Sequence, residues 1–117
     1  MHDRIGEILR HFPTLLRRWD GALARMCEMT ISHRTLTIRL ERHGQVGNLE
    51  IACIGPTVIY GPTDWEDAMM TVEHGPDGFI VSDARAGVRI KTDHVEIAEN
   101  RKPLNALTIP NSNTSRR

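Results

Sequence analysis

Apolar side chains near the N-terminus recur with alternating spacings of four and three, at Ile5, Leu9, Phe12, Leu16, Trp19, Leu23 and Met26. This is the spacing of one face of a helix. Ile8 and Leu15 widen the seam into a stripe suited to packing on a sheet or on another helix. Asp3 can cap the first turn, and Glu7 complements the helix dipole. Pro13 has no N–H to donate and its ring clashes with the carbonyl four residues back, so the pattern predicts two helices, 4–11 and 13–29. Gly21 costs the second helix about 1 kcal/mol relative to Ala, so that helix needs a surface to pack on.

From residue 31 the period falls to two. Leu36, Ile38 and Leu40 alternate with Thr35, Thr37, Arg39 and Glu41, which is a strand with one buried face. Residues 43–48 turn and residues 49–54 return. Gly-Pro-Thr occurs at 55–57 and again at 61–63, bracketing the short apolar run Val58-Ile59-Tyr60 as turn punctuation. Residues 68–74 and 79–83 flank Gly75-Pro76-Asp77-Gly78, the clearest hairpin signal in the chain. Val88, Ile90 and Thr92 alternate with Arg89 and Lys91, while Val95 and Ile97 form a last short strand or prolong the previous one.

No strand–helix–strand alternation occurs. The expected class is α+β, with the N-terminal helices packed on an antiparallel meander or small rolled sheet of six or seven short strands over 34–98. The expected organisation is a single domain, 1–109, followed by a disordered polar tail, 110–117.

Charge changes this picture more than composition does. The net charge is zero over 117 residues. Yet residues 43–84 contain no Lys or Arg and carry Glu50, Asp64, Glu66, Asp67, Glu73, Asp77 and Asp83. Both flanks are correspondingly basic. Such segregation implies surfaces that meet, within the fold or between copies. No apolar run reaches the ~18 residues of a membrane span, and the N-terminus has no signal-peptide pattern. Cys27 and Cys53 are too few and too isolated for a disulfide framework. A cytoplasmic setting follows as the expectation. Arg10, Arg17, Arg18 and Arg25 on the predicted helix could meet phosphates, but Asp20, Glu28 and the acidic middle dilute that field, and nucleic acid is disfavoured.

Candidate chemistry is sparse. The Asp64-Trp65-Glu66-Asp67 cluster offers carboxylates to a hard cation, but without the spacing of a calcium loop. Trp65 reads instead as an anchor whose N–H finds a partner. His74 and His94 could approach across the sheet and, with Cys53, offer nitrogen and sulfur ligands. Neither a metal-binding motif, nor a nucleophile elbow, nor a phosphate loop is present, so no cofactor and no catalytic residue is expected. The leading expectation is a non-enzymatic module acting by protein–protein contact, most simply a homodimer, with Leu16, Trp19, Leu23 and Met26 as its interface. The alternative is a small-ligand or metal-binding domain, or an enzyme, with a pocket between sheet and helices using His74, His94, Tyr60 or the 64–67 loop.

Overall fold

The structure, a computed structural model, describes residues 4–30 and 34–100; the expected polar tail lies outside the described residues. The fold is α+β, with one N-terminal helix packed on a curled, seven-stranded antiparallel sheet that forms a half-barrel. Helix α1 spans Arg4–Arg18. The strands are β1 (Leu23–Thr30), β2 (Thr35–Glu41), β3 (Asn48–Tyr60), β4 (Asp64–Trp65), β5 (Thr71–Gly75), β6 (Gly78–Asp83) and β7 (Val88–Asn100), in the spatial order β4-β1-β2-β3-β7-β6-β5.

Two expectations about the N-terminal region are corrected. The helix runs through Pro13, which sits on its exposed side and removes one intrahelical bond. Burial of Phe12 and Leu16 beside it on the sheet offsets that loss. The predicted second helix does not form: residues 23–30 are strand β1, paired with β2 from Leu23↔Glu41 to Thr30↔Thr35. The inward-facing positions of this stretch are Ala22 and Ala24, which carry little periodic signal, while Leu23 points outward. The helix-like spacing of Trp19, Leu23 and Met26 is therefore fortuitous, and tertiary pairing overrides it.

The helix ends because Arg42 reaches it. This guanidinium donates to the carbonyls of Arg18 (3.2 Å) and Asp20, and to Oε1 of Gln45 (3.2 Å). It thereby satisfies carbonyls left without partners at the helix C-terminus and places a cation at the negative end of the dipole. Gly21 then takes a left-handed φ of 87°, which turns the chain into β1.

β3 and β7 are the long elements, 13 residues each, and they pair along their whole length. Gly55-Pro56 was expected to divide two strands; instead β3 continues across it with a register shift between Pro56 and Val58. An irregularity is where a residue without an N–H can be tolerated inside a sheet. At the same level β7 switches its inward residues from Val88, Ile90 and Thr92 to Val95. The two long strands thus belong to two half-sheets, one completed by β2, β1 and β4, the other by β6 and β5. Leu36, Ile38, Leu40, Leu49, Ile51, Val81, Ile90 and Val95 fill the space between them, with Trp19 and Leu16 closing it from the helix side.

Candidate functional site

Two constellations draw the half-sheets together. Asp83, buried at the end of β6, accepts from Nε1 of Trp65 on β4 (2.9 Å), from the backbone N–H of Met69 (2.9 Å) and from that of Ala86 (3.4 Å). Trp65 and Asp83 lie on different half-sheets, so this bond crosses the molecule. The 66–70 link is further held by Gly21 N–H to Ala68 O (2.8 Å) and Ala68 N–H to Ala22 O (2.9 Å). The expected anchor role of Trp65, with its N–H partnered, is what the geometry shows. Its acceptor is one of the seven acids of the middle segment, used here as structure.

The second constellation is centred on Glu99 of β7. It accepts from Nε1 of Trp19 (2.7 Å) and from both the Nε (3.3 Å) and Nη2 (2.7 Å) of Arg18. Arg17 donates to Met70 O (2.7 Å) and pairs with Asp20 (3.0 Å), and the Arg42 guanidinium lies 6.0 Å from the Trp19 ring centroid. These bonds fasten the helix C-terminus to β7 and to the link. Trp19 and Leu16, each 2 % exposed, are therefore core residues of their own chain. Leu23 and Met26 lie on β1, so the four expected interface residues do not share one helical face.

The candidate ligands fall in three separate places. His74 and His94 each pack on the Phe79 ring, at 4.8 and 6.0 Å between centroids. Cys53 is fully buried on β3 opposite Val95, where loss of solvation pushes its thiol up to about 12. Asp64 lies on the edge strand β4, while Glu66 and Asp67 are exposed on the link. Among the described residues, no group of three or more His, Cys, Asp or Glu could hold a metal ion.

An open groove of about 660 Å³ runs beside the helix C-terminus, touching Leu23, Glu41, His43, Gln45, Glu66 and Asp67. A second hollow of about 550 Å³ shares Gln45 and reaches Trp19 and Glu99. Arg42 also lines the larger groove, but it is committed to the helix carbonyls.

The opposite end of the sheet is different in kind. β2 pairs with β3 as far as Ile54, and Arg34 bonds Gly55 N–H and Pro56 O just beyond; from Val58 to Tyr60, the strand partner among the described residues is β7. There Ile59 is 41 % exposed and Tyr60 64 % exposed. Their signal was visible in the sequence: residues 51–63 carry no charged side chain.

No helix among the described residues is long and apolar enough to cross a membrane. No protein-family model, curated protein or solved structure matches this chain.

Proposed function

We propose that this chain is a small cytoplasmic module that works through protein–protein contact, most simply as a homodimer. The observation that carries the reading is the exposed apolar end of β3, Ile59 and Tyr60, on a segment whose strand neighbour among the described residues is β7. Exposed apolar side chains held on a strand are the ordinary starting material of an interface. The charge pattern supports it. Among the described residues Arg39–Glu50 (2.8 Å) is the ion pair that joins the acidic middle to a basic flank. Asp64, Glu66, Asp67, Glu73 and Asp77 all remain exposed. Cys27 and Cys53 are both free thiols, in keeping with a reducing compartment.

Sedimentation velocity at two protein concentrations, in low and ~1 M salt, tests the reading. The expected result is a dimer whose fraction rises with concentration and whose association slows in high salt. A monomer at high micromolar concentration in both buffers would remove it. The groove beside the helix C-terminus supports a second reading, binding of a small polar ligand, because the Glu41, Glu66 and Asp67 carboxylates and the His43 imidazole line one concavity of about 660 Å³. Thermal-shift screening of the E66Q/D67N double variant against the parent would single out ligands that use this wall.

A further inference from the structure

The two hollows at the helix C-terminus form one surface, since Gln45 lines both. The chain leaves the described residues from the wall of this surface. Glu99 lines the second hollow, and Asn100 pairs with Asn48, two residues from Val46 of the same wall. Leu23 in the first hollow is 39 % exposed and Val46 in the second 56 % exposed. Glu41, Glu66, Asp67 and Glu99 line the pair of hollows, against the guanidiniums of Arg18 and Arg42. Both guanidiniums are already bonded, Arg18 to Glu99 and Arg42 to the helix carbonyls. Glu66 and Asp67 are exposed and form no ion pair among the described residues. Acidic walls with exposed apolar spots fit an occupant that is basic and apolar.

We propose that residues 101–109 fold back across both hollows of their own chain, as a strap over the helix C-terminus. The segment has the required chemistry. It opens with Arg101 and Lys102, continues with Leu104, Leu107 and Ile109, and no acid occurs between 101 and 117. The β3–β7 ladder reaches its last pair at Asn48↔Asn100, and Pro103 cannot donate to an extension of it. The segment therefore turns out of the sheet beside the hollow that Glu99 lines. Its two cations are drawn to the carboxylates, and Leu104 and Leu107 cover Val46 and Leu23. Nine extended residues span at most about 30 Å, enough to pass both hollows in a molecule 48 × 35 × 29 Å across. The occupant is the segment of the same chain, because direct attachment to the wall gives it an effective concentration of ~mM, above that of a free copy. The proposal goes beyond both functional readings and needs neither; a small ligand in this groove would have to displace the strap.

Hydrogen exchange on the full chain tests whether the segment is held, and paired cysteines test where. After correction for intrinsic rates, the amides of 104–109 should exchange roughly tenfold or more slowly than those of 111–117. The Leu104→Ser/Leu107→Ser double variant should bring them to the rate of 111–117 while the β7 amides keep theirs. Equal rates for the two segments in the parent would overturn the proposal. For the location, a Cys27→Ser background removes the exposed native thiol and leaves Cys53 buried. In it, Val46→Cys and Leu104→Cys together should form an intrachain disulfide at a rate independent of protein concentration. Met29→Cys with Leu104→Cys should link roughly tenfold more slowly, since Met29 lies along β1 away from Leu23 and out of disulfide reach of the strap. Circular dichroism establishes that each variant folds. Protection of 104–109 without the Val46–Leu104 link, or equal linking through Met29, would overturn the placement. An interchain link that grows with concentration would also overturn it, by assigning the groove to the segment of a second copy.

Discussion

The two ends of the sheet show what this molecule does with its polar groups. At the helix end, Glu99 gathers donors from Trp19 and Arg18 and Arg42 closes the helix carbonyls, while Asp83, paired with Val88 across β6 and β7, gathers its own donors from Trp65 and Met69. At the far end of β3, the strand partner among the described residues is β7, and the side chains of Ile59 and Tyr60 are exposed. Dense, directional bonding specifies one arrangement of one chain, whereas an uncharged open edge leaves an interaction to be completed. Changes at the first end should be felt as stability, and changes at the second as association.

The largest effect should come from Trp19. Replacing it with Ala empties a core position and frees Glu99 from one donor, at about 3–5 kcal/mol in urea unfolding. A loss under ~1 kcal/mol would mean that the helix end is not the organising region. Asp83→Ala comes next. It leaves the Trp65 and Met69 N–H groups without their acceptor, and a loss of about 2–4 kcal/mol is expected. If Asp83→Asn recovers most of that loss, the hydrogen bonds matter more than the charge.

Cys53 adds a pH dependence to the core. Its folded thiol is raised to about 12, above the unfolded value near 9. Between those values the folded state keeps a proton that the unfolded state has released, so stability falls as pH rises through this window. The slope approaches about 1.4 kcal/mol per pH unit. Unfolding curves from pH 8.5 to 10.5 should show this decline in the parent and a shallower one in Cys53→Ala. Equal slopes would mean that the thiol reaches water. The smallest stability effect belongs to the other end: Tyr60→Ser should stay within ~0.5 kcal/mol when measured on dilute monomer. A larger loss there would erase the contrast between the two ends, because Tyr60 would then be serving its own chain.

Legibility in the sequence follows the range of the interactions. β2, β6 and the start of β7 alternate cleanly because one face is buried and the other is wet, and the Gly75–Gly78 turn encodes its own geometry. Trp65 could be read as an anchor because a buried indole N–H needs an acceptor. Its acceptor, Asp83, could not be read, since nothing local marks one acid among seven as the buried one. The same holds for Glu99, which lies 80 residues from Trp19. β1 was hidden because its fully buried position is Ala24, preceded by the buried Ala22, and the exposed Leu23 completes a false helical spacing. Pro13 and Pro56 looked like breaks because local chemistry argues for a break, yet tertiary burial in one case and a bulge in the other absorb them. Asp64, Glu66 and Asp67 are exposed, and their sequence clustering did not reveal that Asp64 would be on an edge strand and the other two on the link. The open edge was written in the uncharged stretch 51–63, but a sequence does not say which strand lacks a neighbour.

The full-length pairing of β3 with β7 also sets the order in which the chain can fold. β5, β6 and β7 follow one another through short turns, so their hairpins can form early, on the microsecond scale of local strand pairing. β3 then joins β7 first where the chain separation is least, at Tyr60↔Arg89, and closes progressively toward Asn48↔Asn100. β1, β2 and β3 are likewise joined by short connections and can pair locally, but the Trp65–Asp83 bond requires both half-sheets to be in place. The bond that crosses the molecule is thus a late event. Until it forms, the chain passes through states in which the uncharged segment of β3 is in place while the sheet around it is unfinished, the stage at which a nascent copy is most open to pairing with the wrong strand.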